Sequence, residues 1–154
     1  MATTDDLDLV VVAATDPDVA TLVDELSALL HERFGGDGRS GFVPEQEGDA
    51  VVILARSGDR LLGCGAMRML AGHDGVAEIK RMYARPTTSG VGGAILRRLE
   101  DAARAAGCSE ARLETRRANE RAVGFYEHAG YRECAPYGAY VGRADAICLA
   151  KMLA

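Results

Sequence analysis

The stretch Glu78 to Leu96, EIKRMYARPTTSGVGGAIL, constrains this chain more than any other. It reads as a strand ending near Ala84, a short polar loop with glycines, and the start of an amphipathic helix. That order leaves the first N–H groups of the helix without intrahelical acceptors, at the end where the macrodipole is positive. A phosphate or pyrophosphate suits such a place. Gly90 and Gly92 matter because a side chain there would hold the anion off the amides. Two better-known phosphate loops are excluded. A GxGxxG turn needs a third small residue where Ile95 stands, and no Gly-Lys follows at the spacing of GxxxxGK. Taken alone, the loop also fits an ordinary strand–helix turn in which the glycines only relieve strain.

The surrounding pattern predicts one domain over residues 1–154. Leu7 to Ala13 is a valine-rich apolar run, read as a buried strand. Asp16-Pro17-Asp18 opens a helix, and Leu22, Val23, Leu26, Leu29 and Leu30 trace one apolar stripe up to Phe34. A glycine-rich loop then runs from Gly35 to about Asp49, and a loop this long is expected near the entrance for an acceptor substrate. Strands follow at Ala50 to Arg56, Arg60 to Leu70 and Val76 to Ala84, with glycine turns between them. Ile95, Leu96, Leu99, Ala102, Ala103 and Ala106 form a helix face stopped by Gly107. Ala111 to Thr115, Tyr131 to Ala135 and Ala146 to Met152 read as strands, and Glu120 to Ala129 as a helix. Antiparallel hairpins followed by a strand–helix–strand–helix unit predict an α/β fold, an α+β sandwich around one mixed, mostly antiparallel sheet.

Composition narrows the function. A net charge of −5 argues against a nucleic-acid footprint and leans towards a cationic partner such as an amine. The acidic start, Met1 to Asp6, lacks signal-peptide order, and no apolar run approaches the roughly 20 residues of a membrane span. Cys64, Cys108, Cys134 and Cys148 form no CxxC pair and read as reduced thiols of a cytoplasmic protein. Three histidines without metal-ligand spacing predict no metal site.

A second element settles the comparison. Asn119 to Tyr131, NERAVGFYEHAGY, is a short helix carrying a tyrosine and closed by glycine. With EIKRMYARP and GVGGAIL upstream, it resembles the GNAT superfamily of N-acyltransferases along the whole chain, most strongly from Glu78 to Tyr140. The family's loop motif, Gln/Arg-x-x-Gly-x-Gly/Ala, places its small positions on Gly90 and Gly92 and its first position on Thr87. The segment between Pro86 and Gly90 is shorter than the family's usual loop.

The resemblance implies a direct, ternary-complex transfer of acetyl from acetyl-CoA to an amine-bearing small molecule or peptide. It also implies a CoA site: backbone of Met82, Tyr83 and Ala84 for the pantetheine amides, and Thr87, Thr88, Ser89, Gly90, Val91, Gly92 and Gly93 for the pyrophosphate. Arg85, or Arg97 and Arg98, would supply the charge that Thr87 lacks. Asn119 is either a pantetheine contact or simply the N-cap of its helix. Tyr126 corresponds to the family's tyrosine beside the CoA sulfur, with core packing as the alternative. Glu78 stands where many members keep a basic glutamate, and Glu114 is the rival carboxylate. Tyr137 and Tyr140 belong either to the amine pocket or to a packed turn. Cys64, in Gly63-Cys64-Gly65, is the one thiol to check as a relay nucleophile. A homodimer fits the family. A CoA-binding sensor without transfer activity is the other reading.

Overall fold

Seven strands form one sheet in the order β1-β2-β3-β4-β5-β7-β6 in the computed structural model, which describes residues 7–35 and 42–153. β1 (Asp8–Val12), β2 (Val51–Ser57), β3 (Arg60–Met69) and β4 (Val76–Ala84) run antiparallel in sequence. The helix α2 (Val91–Ala105) then carries the chain across to β5 (Glu110–Arg116), which is parallel to β4. β7 (Ala146–Met152) lies between β5 and the short edge strand β6 (Arg132–Glu133), antiparallel to both. α1 (Pro17–Phe34) precedes β2, and α3 (Glu120–His128) precedes β6. The α/β sandwich around a mixed, mostly antiparallel sheet is as expected, with β4 and β7 at their predicted bounds.

Both faces of the sheet are covered. On one, Ile95, Leu96, Leu99 and Ala103 of α2 pack over Ile53, Met67, Ile79, Leu113 and Leu149. On the other, Val19 and Leu22 of α1, with Phe42, pack over Val52, Leu54, Cys64 and Ala66. This is why Val52-Ile53-Leu54-Ala55 is apolar throughout rather than alternating. The stripe of α1 divides, however. Val19 and Leu22 enter the core, whereas Leu26, Leu29 and Leu30 are only half-buried and belong to neither core cluster. The expected acceptor-side loop falls partly on residues 36–41, outside the described residues.

Two irregularities shape the middle of the sheet. β4 carries one extra residue against β3: Cys64 pairs with Tyr83, but Ala66 pairs with Lys80. Within this bulge Arg81 has φ 58°, in the left-handed region. The second irregularity is that β4 pairs with β5 only from Val76 to Glu78, opposite Glu110 to Arg112. Beyond that point the two strands part.

A buried polar cluster fastens the helices to the far side of the sheet. The Tyr131 hydroxyl donates to Glu100 Oε2 at 2.8 Å, and Lys151 Nζ donates to both Glu100 oxygens at 3.0 and 3.2 Å. Tyr131 N–H also donates to the Tyr126 carbonyl. These bonds keep Tyr131 in the turn closing α3, so the strand expected to start there begins at Arg132. Glu100→Ala leaves a phenol and an ammonium without their acceptor, and is expected to destabilise the fold by roughly 2–3 kcal/mol. Urea denaturation checks this, with Lys151→Ala as the companion that removes only the half-buried ammonium end.

Candidate functional site

The divergence of β4 and β5 opens a groove with two branches, each of about 290 Å³. They meet at Met82, Asn119, Ala122 and Tyr126, which line both. One branch runs to the N-terminus of α2, and the other lies between the parted strands under Leu26 and Leu30 of α1.

The first branch ends at the open N-terminus of α2, where the helix dipole favours an anion. Gly90 caps α2 with φ 76°, and no side chain bonds the first-turn amides. A side chain at Gly90 would be strained, which is why glycine is needed there. At Gly92 the backbone is ordinary, but an added Cβ would lie 3.5 Å from the Phe125 ring, on the groove side. Met82, Tyr83, Ala84, Thr88, Gly90, Val91, Gly92 and Asn119 all line this branch. Thr87, Ser89 and Gly93 do not. The Thr88 hydroxyl is spent on the Arg85 carbonyl, at 2.7 Å.

Arg85 lines the branch but is committed elsewhere. Its Nη2 and Nε bond the Glu25 carboxylate at 2.7 and 3.0 Å, and its Nη1 donates to the Leu61 carbonyl. Those bonds, chiefly Arg85's, hold the Glu25 carboxyl below its ordinary range. The other cations lining this branch are Arg33, in the last turn of α1, and Arg121, in the first turn of α3. Sequence reasoning missed both, since each looks like a routine helix-end charge until distant elements are brought together.

The second branch holds the titratable groups. Lys80, Glu114, Arg116, Tyr140 and Arg143 line it. Burial pushes the Glu114 carboxyl up, with Lys80 and then Arg143 and Arg116 pulling the other way. Burial likewise pushes Lys80 down, and its ammonium donates to the Tyr140 hydroxyl at 2.8 Å. Tyr126, at the junction, is buried, stands edge-on to Phe125 and Tyr131, and has its phenol pushed up by burial. Asn119 caps α3 by accepting from Ala122 N–H at 3.2 Å, so it serves as cap while lining the groove.

Three candidate positions fall elsewhere. Glu78 is 3% exposed and accepts from Arg68 Nε at 2.9 Å, while Arg68 also bonds Glu47. It is not among the groove's walls; the carboxylate there is Glu114. Tyr137 is buried against Tyr140 rather than open to the groove. Cys64 is fully buried, its thiol is pushed up to about 12 by burial, and it donates to the Arg81 carbonyl. A thiol so protonated is no relay nucleophile.

A seven-stranded mixed sheet whose parallel pair splays beside a glycine-capped helix defines an acyltransferase-type scaffold. The chain belongs to the acetyltransferase (GNAT) family, whose match spans residues 22–131. An IAA acetyltransferase of Azospirillum brasilense is 36% identical over 94 residues, 60% of this chain. The chain spans 61% of that relative's length. Two solved structures share the fold. An acyl-CoA N-acyltransferase of Klebsiella pneumoniae superposes with TM-score 0.79 at 24% identity, over 96% of this chain and 98% of that one. The PaiA N-acetyltransferase of Thermoplasma acidophilum, in complex with coenzyme A, gives 0.72 at 18%, over 99% of both.

A ligand that binds only the native state stabilises it, by about 2.7 kcal/mol at a hundredfold excess over Kd. Acetyl-CoA is therefore expected to raise the melting temperature. Gly92→Glu, which sets a carboxylate against the α2 amides, should remove most of that shift while the ligand-free melting point stays close to the parent's.

Proposed function

We propose that the protein transfers an acetyl group from acetyl-CoA to the amine of an acceptor by direct attack in a ternary complex. The observation that carries this reading is the junction: Tyr126 and Met82 stand where an anion-binding branch meets a branch holding a carboxyl of raised pKa. No metal or covalent intermediate is invoked. Among the described residues no helix is long and apolar enough to cross a membrane, and the four cysteines are free. The free cysteines fit a reducing, cytoplasmic setting.

The chain's residues divide the work. The amides of the first turn of α2, with Arg33 and Arg121, hold the pyrophosphate. Among the described residues β4 pairs with β5 only from Val76 to Glu78, and the strand edge past that point, at Met82 to Ala84, is offered to the pantetheine amides. An N–H of that edge at Met82 faces the thioester oxygen and stabilises the oxyanion as it forms. Glu114 takes the proton from the acceptor ammonium, because it lines the groove and its raised pKa brings it nearer the amine's. Glu78, paired with Arg68, instead braces the strand from behind.

Tyr126 serves the leaving group. A thiol has a pKa of about 8.5 and a phenol about 10, and burial raises the phenol further, so Tyr126 stays neutral and donates a hydrogen bond to the departing thiolate. Tyr126→Phe is expected to lower kcat by about a hundredfold with CoA affinity nearly unchanged. An unchanged kcat under chemistry-limited conditions would return Tyr126 to packing.

The base assignment has a pH signature. A carboxylate of raised pKa works only once deprotonated, so wild-type kcat/KM should climb with pH through that pKa. Glu114→Gln should lose most at low pH and recover as more amine arrives already deprotonated. Glu78→Gln should lower stability and keep the shape of the profile. If the deficit at low pH follows Glu78→Gln instead, the base is Glu78.

A further inference from the structure

The acceptor branch has a charge pattern opposite to that of the whole chain. The chain carries net charge −5, yet this branch presents Lys80, Arg116 and Arg143 against the single carboxylate of Glu114. Arg81 also contributes to the wall, but its Nη2 is drawn to the Phe42 carbonyl at 3.0 Å and its guanidinium stacks on that ring. Lys80 is bonded to a neutral phenol, Tyr140. Asp145 sits 3.4 Å from Arg116 Nη1 and 3.5 Å from Arg143 Nε, so two guanidinium groups share one half-exposed carboxylate. Contacts this long and this exposed are weak, and a positive charge remains unmatched at the mouth.

An acceptor with an amine alone gains nothing from that surplus, and its ammonium form is repelled by it. An acceptor that also bears a carboxylate uses it. Glu114 and Arg116 are two residues apart on β5 and so share one face, about 7 Å apart. That spacing lets one small molecule present an amine to the first and a carboxylate to the second, with the planar guanidinium fork matching the carboxylate. Leu26 and Leu30, on the roofing helix, are part of the apolar lining of the same branch.

We infer that the acceptor is an amino acid: its amine at Glu114, its carboxylate between Arg116 and Arg143, and an apolar side chain against Leu26 and Leu30. This rests on the acetyl-transfer reading above. The amino nitrogen forms a bond to the thioester carbonyl carbon, and the carbon–sulfur bond breaks. Of the two protons lost from the ammonium, one protonates the CoA thiolate and the other passes through Glu114 to solvent. The products are the N-acetylamino acid and CoA.

Matched acceptors test the inference through the rate of thiol release from acetyl-CoA. Leucine, leucinamide and isoamylamine share an apolar body and differ in the carboxylate. With kcat/KM expressed per free amine, leucine should exceed both others by about tenfold or more, as a charge-assisted contact provides. Arg143→Gln and Arg116→Gln should each reduce the leucine-to-isoamylamine ratio, mainly through the KM for leucine. Equal use of isoamylamine and leucine, or a ratio unmoved by both variants, would overturn the inference while leaving acetyl transfer standing. Acetyl-CoA that stabilises the protein but is transferred to none of the three, nor to a wider amine panel, would overturn the transfer reading and this inference with it.

Discussion

The bulge at Arg81 is the constraint on which the rest of the structure depends. An extra residue in β4 must be absorbed opposite β3, and here it is absorbed by a non-glycine residue in the left-handed region, at a cost of about 1–2 kcal/mol. The neighbours offset that cost. The Cys64 thiol donates to the Arg81 carbonyl, and the Arg81 side chain reaches across to the carbonyl and ring of Phe42. Gly65 is obligatory on the facing strand, since a Cβ there would lie 2.6 Å from Met82 Sδ and 2.8 Å from Ile95 Cγ2. A Cβ at Gly63 would meet the Tyr83 carbonyl oxygen at 2.5 Å. The bulge turns β4 away just past its last pair with β5, and the groove is what that departure leaves open.

Around the groove, ion pairs hold elements that the core alone would leave loose. Arg85 and Tyr83 of the β4 end both bond Glu25 of α1, fixing the helix that roofs the opening. Arg68 ties Glu78 of β4 to Glu47 in the segment before β2. Glu100 joins α2 to β7 and to the turn after α3, five residues beyond Tyr126. Each carboxylate sits behind the groove rather than within it. Glu114 is left as the wall carboxylate, its pKa raised by burial against the opposing pull of Lys80, Arg143 and Arg116.

Much of this was legible from local pattern. The glycine loop, the tyrosine helix and the hairpins announced themselves because each depends on residues close in sequence. What was not legible depends on long-range pairing. Alternation along β4 tells which side chains share a face, but not that pairing with β5 ends at Glu78, and so not that Glu114 lines the opening while Glu78 lies behind it. Gly63-Cys64-Gly65 drew attention to its thiol, when its glycines are what the bulge requires. The stripe from Leu22 to Leu30 looked uniform, and only the sheet beneath shows that its second half overhangs a gap. Arg33 and Arg121 carried no signal at all until α1 and α3 converged.

That overhang bears on how such a protein changes over generations. Leu26 and Leu30, together with Arg143 in the segment before β7, line the branch between the parted strands yet lie outside both core clusters. Replacing them removes little of the packing that keeps the chain folded. The residues at the α2 end of the groove are the reverse case: Val91 is buried in the main core, and Gly90 holds a left-handed backbone that most side chains strain. Selection on this scaffold therefore meets two different landscapes, one steep around the glycine loop and one nearly flat under α1, so the groove can change shape at one end while it is held fixed at the other.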